Sequence, residues 1–445
     1  MTIAPVRRLE VHRRLGGGDR VRTGVLASSR DRATYFEYDA DYRRRYTSLS
    51  PFSLPLDGGL HRAPATPHGG LHGVFADSLP DAWGMLLIDR AFRRRGVLPH
   101  RLTPLDRLAY VGDRGMGALE YTPALDGADV DEEEVDVGAL GDIARTIFEA
   151  RAGEDVTVPP ALERAGSSAG ARPKALLHLS EHGELGAASV LPRPGWTPVL
   201  VKFTAASLPL GHEESLCEAA YLRMARDAGI DTPTWRLIDA PPSSPAIASL
   251  VLTRFDCAVG RGRYHMHTLC GLLDADFRAP SMDYEDLIKA SQVLCASPAV
   301  GQQQFTRAVF NLFALNQDDH TRNWAFLQDD AGRWRPSPAF DVTFSPAPHG
   351  EHATAFAGHG VRPPLPAMQG LARQANFATW SRAHQCIERV VDAVSRWRDY
   401  STELGVGVRT RTLVAKELER TYRENRALLA GATRSSVVSR HYRRE

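Results

Sequence analysis

The segment Gly301 to Leu315 constrains this chain more than any other. Phe305, Ala308, Val309, Leu312 and Phe313 recur at the spacing of one helix face, which predicts an amphipathic helix that buries its apolar stripe. The residues that follow, Asn316-Gln317-Asp318-Asp319-His320-Thr321-Arg322-Asn323, are too polar for a core. Polar groups delivered by a rigid, buried scaffold are what a catalytic site requires. An apolar strand then reads at Trp324-Ala325-Phe326-Leu327 and a turn at Asp329-Asp330-Ala331-Gly332. A returning strand reaches Pro338-Ala339-Phe340-Asp341.

Two carboxylates and an amide around a hairpin suit phosphoryl transfer. Such chemistry needs a carboxylate to orient the attacking hydroxyl and take its proton, and oxygen ligands to hold Mg²⁺ against phosphates. The spacing Asp318-x-x-x-x-Asn323 matches the catalytic loop of protein kinases, with Asp318 as candidate base. Asp341 falls where a metal-binding Asp follows the hairpin. His320 is expected to brace the loop through hydrogen bonds. Asp-Asp-His alone is a weak signal and reads as a polar turn with an Asn cap; the helix before it and Asp341 beyond it favour function.

Only four lysines occur, Lys174, Lys202, Lys289 and Lys416, so one inside an apolar strand stands out. Lys202 lies in Val199-Leu200-Val201-Lys202-Phe203, where an ammonium is tolerated only beside anions. Either it snorkels from a strand edge, or it meets an ATP phosphate and a helix carboxylate as in the lysine–glutamate pair of kinases. Glu218, which shares a helix face with Glu214 and Leu222, is the candidate partner. Upstream, Gly166-Ser167-Ser168-Ala169-Gly170-Ala171-Arg172-Pro173-Lys174 offers small residues that let backbone N–H groups approach phosphate. Pro173 replaces the glycine of a Walker A loop and removes an N–H. The segment is therefore a phosphate loop of another kind or a flexible surface loop.

Residues 1 to about 125 mix short strands with helix, including a hairpin from Arg22 to Tyr38 and a helix from Asp81 to Phe92. The acidic run Asp126 to Asp136 reads as a solvated linker or helix start. Strands are expected at Ala175–Leu179, Pro198–Phe203 and Ile247–Phe255, around a helix near Glu213–Ala228; beyond about 256 the chain turns helical. A β-rich half that feeds a helical half implies two lobes with a ligand cleft. The net charge of +1 excludes a global basic field for nucleic acid. Five widely spaced cysteines argue against a disulfide framework or zinc site. The charged start is no signal peptide, and no apolar run approaches the roughly 20 residues of a membrane span. A cytoplasmic protein without membrane contact is expected.

At this point the sequence resembles the HipA family, serine/threonine kinase toxins of type II toxin–antitoxin modules. Phe75-Ala76-Asp77-Ser78-Leu79-Pro80-Asp81-Ala82-Trp83-Gly84 and Val111-Gly112-Asp113-Arg114-Gly115-Met116-Gly117-Ala118-Leu119 look like its N-terminal signatures. Ser167 to Lys174 resembles its phosphate loop, Val201-Lys202-Phe203 its ATP-lysine strand and Thr253-Arg254-Phe255-Asp256 its hinge. Asp318-Asp319-His320-x-x-Asn323 and Ser337-Pro338-Ala339-Phe340-Asp341 resemble its catalytic and metal motifs. The resemblance implies an α+β, two-lobed protein-kinase-like fold, divided into an N-terminal subdomain (1–125), an ATP-binding region (126–255) and a helical lobe (256–445).

It also implies roles. Asp318 is the base, Asn323 and Asp341 are Mg²⁺ ligands, and Lys202, paired with Glu218, contacts ATP phosphate. Gly170 and Lys174 belong to the phosphate loop, and the backbone at Thr253 and Phe255 holds adenine. Ser167 matches the loop serine at which the family autophosphorylates, with Ser168 adjacent. Arg172-Pro173 replaces the family's polar pair, which implies a stiffer loop. An aminoacyl-tRNA synthetase as target, a HipB-like helix-turn-helix antitoxin as partner, and DNA met only through that antitoxin are implied likewise.

Other motifs carry less. Gly112 to Gly117 lacks the strand–turn–helix context of a dinucleotide loop. His349-Gly350-Glu351-His352 misses every zinc-protease spacing and reads as a loop, and His265-Met266-His267 has no third ligand. Arg440 to Arg444 reads as a tail or partner contact. Two competitors to a protein kinase remain: a small-molecule kinase with the same site, and a catalytically inactive scaffold that binds an antitoxin. Intact Asp318, Asn323, Asp341 and Lys202 count against the second.

Overall fold

The computed structural model describes residues 5–125, 136–150, 158–159, 162, 170–187, 194–258, 260, 262–279 and 282–430. The chain forms two compact units. One comprises residues 1–208, 238–275 and 325–333; the other comprises 209–237, 276–324 and 334–445. The acidic run, apart from Asp136, and Ser167 and Ser168 lie outside the described residues. Among the described residues no helix is long and apolar enough to cross a membrane. All five cysteines are free thiols.

The first unit holds a five-stranded sheet, most of a second one and a further antiparallel strand pair. Strands β1 (Arg8–Arg14), β2 (Arg20–Ser28), β3 (Thr34–Tyr38), β4 (His61–Arg62) and β5 (Leu119–Thr122) form the first in the order β4-β3-β2-β1-β5. The expected hairpin is β2–β3, antiparallel with Leu26 opposite Phe36. Period-two alternation sends Leu9 and Val11 of β1 inward, where they meet Leu26, Phe36 and Phe75. Helix α1 (Ala82–Arg94) serves two cores: Trp83 and Leu87 join the second sheet's core, whereas Ile88, Ala91 and Phe92 pack with Tyr110. Helix α2 (Pro104–Val111) opens on a capping box in which Thr103 and Asp106 satisfy each other's backbone N–H, with proline at the first helical position.

The second sheet comprises β6 (Lys174–Ser180), β7 (Leu185–Ala187), β8 (Trp196–Lys202), β9 (Trp235–Asp239) and β10 (Ala248–Thr253), in the order β7-β6-β8-β10-β9. Its central strands run apolar, as strands buried on both faces do. Helix α3 (Val137–Glu149) adds Leu140, Ala144 and Ile147 to their core. Strand β11 (His265–Thr268) pairs antiparallel with β12 (Ala325–Gln328). The wholly buried Arg13 of β1 ties β12 to the first sheet by donating to Gln328 Oε1 at 2.9 Å and Asp329 O at 2.9 Å.

Two buried polar networks fix this unit. Asp256 takes Arg254 Nη2 at 2.6 Å and the Gly117 amide at 2.7 Å, while Arg254 and Arg263 both donate to Gly115 O. The Gly112–Gly117 motif is therefore a brace for the segment after β10. In the second network Asp77 accepts from Thr268 N and Oγ1 at 2.7 Å each, and its Oδ2 lies 2.5 Å from His267 Nδ1. His267 Nε2 reaches Ser50 Oγ at 2.9 Å. Gly73 and Gly271 permit this approach: a Cβ on Gly73 would sit 2.1 Å from Gly271 O. The His265 and His267 side chains are consumed in such contacts, His265 Nε2 with Leu49 O at 2.8 Å.

The second unit is helical: α4 (Glu214–Asp227), α5 (Tyr284–Cys295), α6 (Ala299–Phe313), α7 (Leu365–Gln374), α8 (Trp380–Ser395) and α9 (Val408–Asn425), with the short strand β13 (Trp334–Pro336). Helix α6 is the one read from the Phe305–Phe313 stripe, and those residues are buried. Tyr221 of α4 packs edge-on against Phe310 and Trp397 and donates to Ala314 O at 2.8 Å, which anchors the end of α6.

Burial pushes the Asp256 carboxyl up, but Arg254, Arg263 and the Gly117 amide together outweigh this and hold the group below the ordinary carboxylate range. The contribution of the pair is thus present above the unfolded carboxyl's pKa and lost as pH falls through the depressed folded value. Asp256→Ala strands two buried guanidinium groups and is expected to cost about 3–5 kcal/mol. Chemical denaturation at neutral pH checks this, and the deficit relative to wild type should shrink in acid.

Candidate active site

Helix α6 ends at Phe313, and Leu315 takes φ +53°, a left-handed conformation that turns the chain sharply into the polar loop. From there side chains alternate. Gln317 and Asp319 are buried, whereas the Asp318 side chain is 68% exposed. Asp318 is held by its backbone: its N–H donates to Ser345 Oγ at 3.4 Å, and its carbonyl accepts from Asn323 Nδ2 at 2.7 Å. That bond commits the amide nitrogen of Asn323 and leaves Oδ1 as its metal-competent atom. His320 Nε2 lies 3.6 Å from Asp318 Oδ1, too long for a hydrogen bond. The His320 ring meets Phe277 edge-on, so it braces the loop by packing rather than by hydrogen bonding to Asp318.

Asp341 follows β13 and adopts φ +52°. Left-handed backbone at a non-glycine residue is a strained state that clusters at functional sites. Asp341 lines one recess with Asn323, Arg307, Asn311, Asn316 and Asp319. Arg307, on α6, lies with its guanidinium 4.2 Å from the centroid of the Trp324 ring and donates to Asn323 O at 3.3 Å. Its Nη1 is buried without a hydrogen-bond partner, and burial lowers its pKa to about 10. The oxygens of Asn323 and Asp341 suit a hard cation such as Mg²⁺, which takes one or two carboxylates and fills its other positions with water and phosphate. Among the described residues there is no group of three or more His, Cys, Asp or Glu that could hold a metal ion.

The other predicted residues divide between the units. Lys174 and Lys202 are register partners on β6 and β8, and both are buried. Directly opposed residues of an antiparallel pair share a face, so the two lysines lie on the same side of the sheet. Thr253 and Phe255 are half-buried at the end of β10, and Arg254 between them donates its N–H to Pro198 O at 3.0 Å. Gly170 has φ +106°, and its N–H donates to Asp81 Oδ2 at 2.7 Å. A phosphate at that amide would have to displace Asp81. Glu218 is buried on α4 in the second unit.

Sequence reasoning passed over Asp81, Arg307 and His352. Asp81 was legible as a helix start but not as a cap on Gly170. Arg307 sits beside the apolar stripe without any local mark. His352 was set aside with the His349–His352 loop. It is buried, and its Nδ1 lies 2.8 Å from Asp319 Oδ2.

The two units make up an α+β protein. The family model for the HipA-like C-terminal domain matches residues 166–397, and that for the HipA N-terminal domain matches 18–122. The chain belongs to the HipA family. Among solved structures it is similar to the Shewanella oneidensis MR-1 HipA, determined with HipB and operator DNA. The TM-score is 0.67 at 16% identity, covering 96% of this chain and 100% of that one. A proinflammatory kinase from Helicobacter pylori, CtkA, matches at a TM-score of 0.39 and 11% identity, over 52% of this chain and 90% of that one. No curated protein sequence matches the chain.

The two buried ionic groups behind the loop should respond oppositely to deletion. Arg307→Met removes a charge that burial already disfavours, so its stability cost is expected to stay within about 1 kcal/mol. Asp319→Ala strands several buried donors and should cost about 3–5 kcal/mol. Denaturation midpoints of the two variants, measured side by side, check the contrast.

Proposed function

We propose that this chain is an ATP- and Mg²⁺-dependent serine/threonine protein kinase of the HipA toxin type. The observation that carries the reading is that Asn323 and Asp341 line one recess, while Asn323 Nδ2 donates to the carbonyl of Asp318, whose side chain is exposed. Family membership supports it.

In this reading Asp318 Oδ orients an acceptor hydroxyl and takes its proton as the hydroxyl oxygen bonds to the γ-phosphorus and the bond to the β-phosphate oxygen breaks. Asn323 and Asp341 hold Mg²⁺, which when bound neutralises phosphate charge. Lys202, steadied by Glu218, contacts the phosphates, and Gly170 and Lys174 flank them. The backbone at Thr253 and Phe255 holds adenine in a segment made rigid by Arg254 and Asp256. The division into 1–125, 126–255 and 256–445 belongs to the same reading. So does a cytoplasmic setting with an aminoacyl-tRNA synthetase as acceptor. The Shewanella HipA was solved with HipB and operator DNA, which supports a HipB-like helix-turn-helix antitoxin as partner here, and DNA contact through it.

Asp318→Ala should lower phosphate transfer about 10²–10⁴-fold and leave nucleotide affinity nearly unchanged, because a base acts in the transition state. Asp341→Ala should instead abolish the Mg²⁺-dependent part of nucleotide binding. Transfer assays with labelled ATP, run beside calorimetry with and without Mg²⁺, read both. Wild-type turnover in the first variant removes Asp318 as base, and unchanged affinity in the second removes Asp341 as ligand. Incubation with ATP should also place phosphate on Ser167, with Ser168 as the neighbouring candidate. Mass spectrometry that finds none across residues 160–175 refutes autophosphorylation there.

A further inference from the structure

The segment that follows Asp341 turns back along the catalytic loop and binds its inward-facing residues one after another. Ser345 N donates to Leu315 O at 3.2 Å, and Gln317 N donates to Ser345 O at 3.1 Å. The Gln317 side chain bridges the two stretches, accepting from Ala347 N at 2.8 Å and donating to Gly350 O at 2.7 Å. Two residues on, Asp319 does the same. Thr354 N donates to its Oδ1 at 3.2 Å and Thr354 Oγ1 to its carbonyl at 2.7 Å, while His352 Nδ1 meets Oδ2 at 2.8 Å. Asp318, between these two anchors, points out.

Tyr284, the first residue of α5, completes the shell. Burial first, and then the neighbouring Asp319, push its hydroxyl pKa far up, so it stays protonated and donates to Asp319 Oδ2. Asn311 Nδ2 donates to that hydroxyl at 3.0 Å, Asn316 Nδ2 to Asn311 Oδ1 at 2.9 Å, and Ser345 Oγ to Asn316 Oδ1 at 2.7 Å. The chain closes on the Asp318 amide, which donates to Ser345 Oγ. All of these residues lie within the second unit.

We propose that His352 is a positioning residue for the catalytic loop: its Nδ1–H, donated to the buried Asp319 carboxylate, locks residues 345–356 onto the loop and so sets the place of Asp318. This rests on the reading of Asp318 as the base. A wholly buried carboxylate that loses a donor keeps an unmet acceptor unless the segments around it shift or admit water. A displacement of about 1 Å at a reacting group costs on the order of 10²-fold in rate. Tyr284 and Thr354 bind the same carboxylate, but His352 alone joins it from a side chain of the returning segment.

The test uses the full chain and three substitutions. His352→Asn places an amide donor near the Nδ1 position, whereas His352→Gln places it near Nε2, and His352→Ala removes it. Hydrogen exchange read by mass spectrometry should show amides across 316–324 exchanging at least tenfold faster in His352→Ala and His352→Gln. Peptides from α8 should be unchanged, and His352→Asn should return most of the protection. In transfer assays with MgATP the same two variants should lose about 10–100-fold in kcat, with nucleotide affinity within twofold of wild type and Asn again restoring rate. Should His352→Ala not fold, the Asn and Gln pair carries the same contrast. Unchanged exchange over 316–324 overturns the proposal, as does acceleration that spreads equally to α8. If exchange behaves as expected while wild type transfers no phosphate, the positioning role stands and the kinase reading falls.

Discussion

The buried carboxylate of Asp319 is the contact on which the second unit's working surface depends. A carboxylate with no solvent access is tolerated only when its oxygens are taken up by donors, and here they come from two separate stretches: Tyr284 at the start of α5, and His352 and Thr354 from the returning segment. Each donor is useful only if its own segment is in register, so the hydrogen bonds select one arrangement of the loop rather than adding bulk stability. The aromatic rings around the hub, Tyr284 against Trp324 and Phe356, and His352 against Phe356, exclude water and raise the cost of any alternative. The neighbouring Asp318 is left exposed on a backbone that cannot drift.

The first unit solves a similar problem with opposite charges. Arg254 and Arg263 converge on the Gly115–Gly117 backbone, and Asp256 neutralises them from within. The half-buried Thr253 and Phe255 are thereby placed at the end of β10 by a network that sits behind them. In both units the residue assigned a functional role is positioned by a buried partner one or two places along the chain. Alternation along extended backbone makes this arrangement easy to encode, since successive side chains point to opposite sides.

That alternation also sets how much was legible in the sequence. Helix α6 and strands β6, β8 and β10 follow from apolar periodicity, and they appear within a few residues of the expected limits. The strand expected to run back to Asp341 is only Trp334–Pro336, because the following segment gives its hydrogen bonds to other partners: Ala339 N pairs with Asp231 O. Asp318, Asn323 and Asp341 could be named because their spacing along the chain is itself a pattern. Tyr284, Asn311 and His352 could not, because Asp319 draws them from positions 35, 8 and 33 residues away, directly or through Tyr284, and no local period connects them. The Gly112–Gly117 motif was visible but was weighed against a dinucleotide loop, the wrong alternative; its service to Asp256 lies 139 residues away.

Hydrogen-bond geometry alone does not mark a site in this molecule. Asp77, His267 and Ser50 line up in the order carboxylate, imidazole, hydroxyl, with distances of 2.5 and 2.9 Å. That is the layout of a nucleophilic triad. Ser50 and His267 are nevertheless wholly buried, and the histidine hydrogen-bonds at both nitrogens to hold β11 to the loop before β4. A nucleophile must reach substrate, so this array is a structural clamp built from the same chemistry. Asp318 is the reverse case: its carboxylate makes few contacts and is two-thirds exposed, yet its backbone is bonded on both sides. A fixed backbone under an uncommitted side chain is what a general base requires. Burial, more than motif or distance, separates the candidate base from the residues that hold it in place.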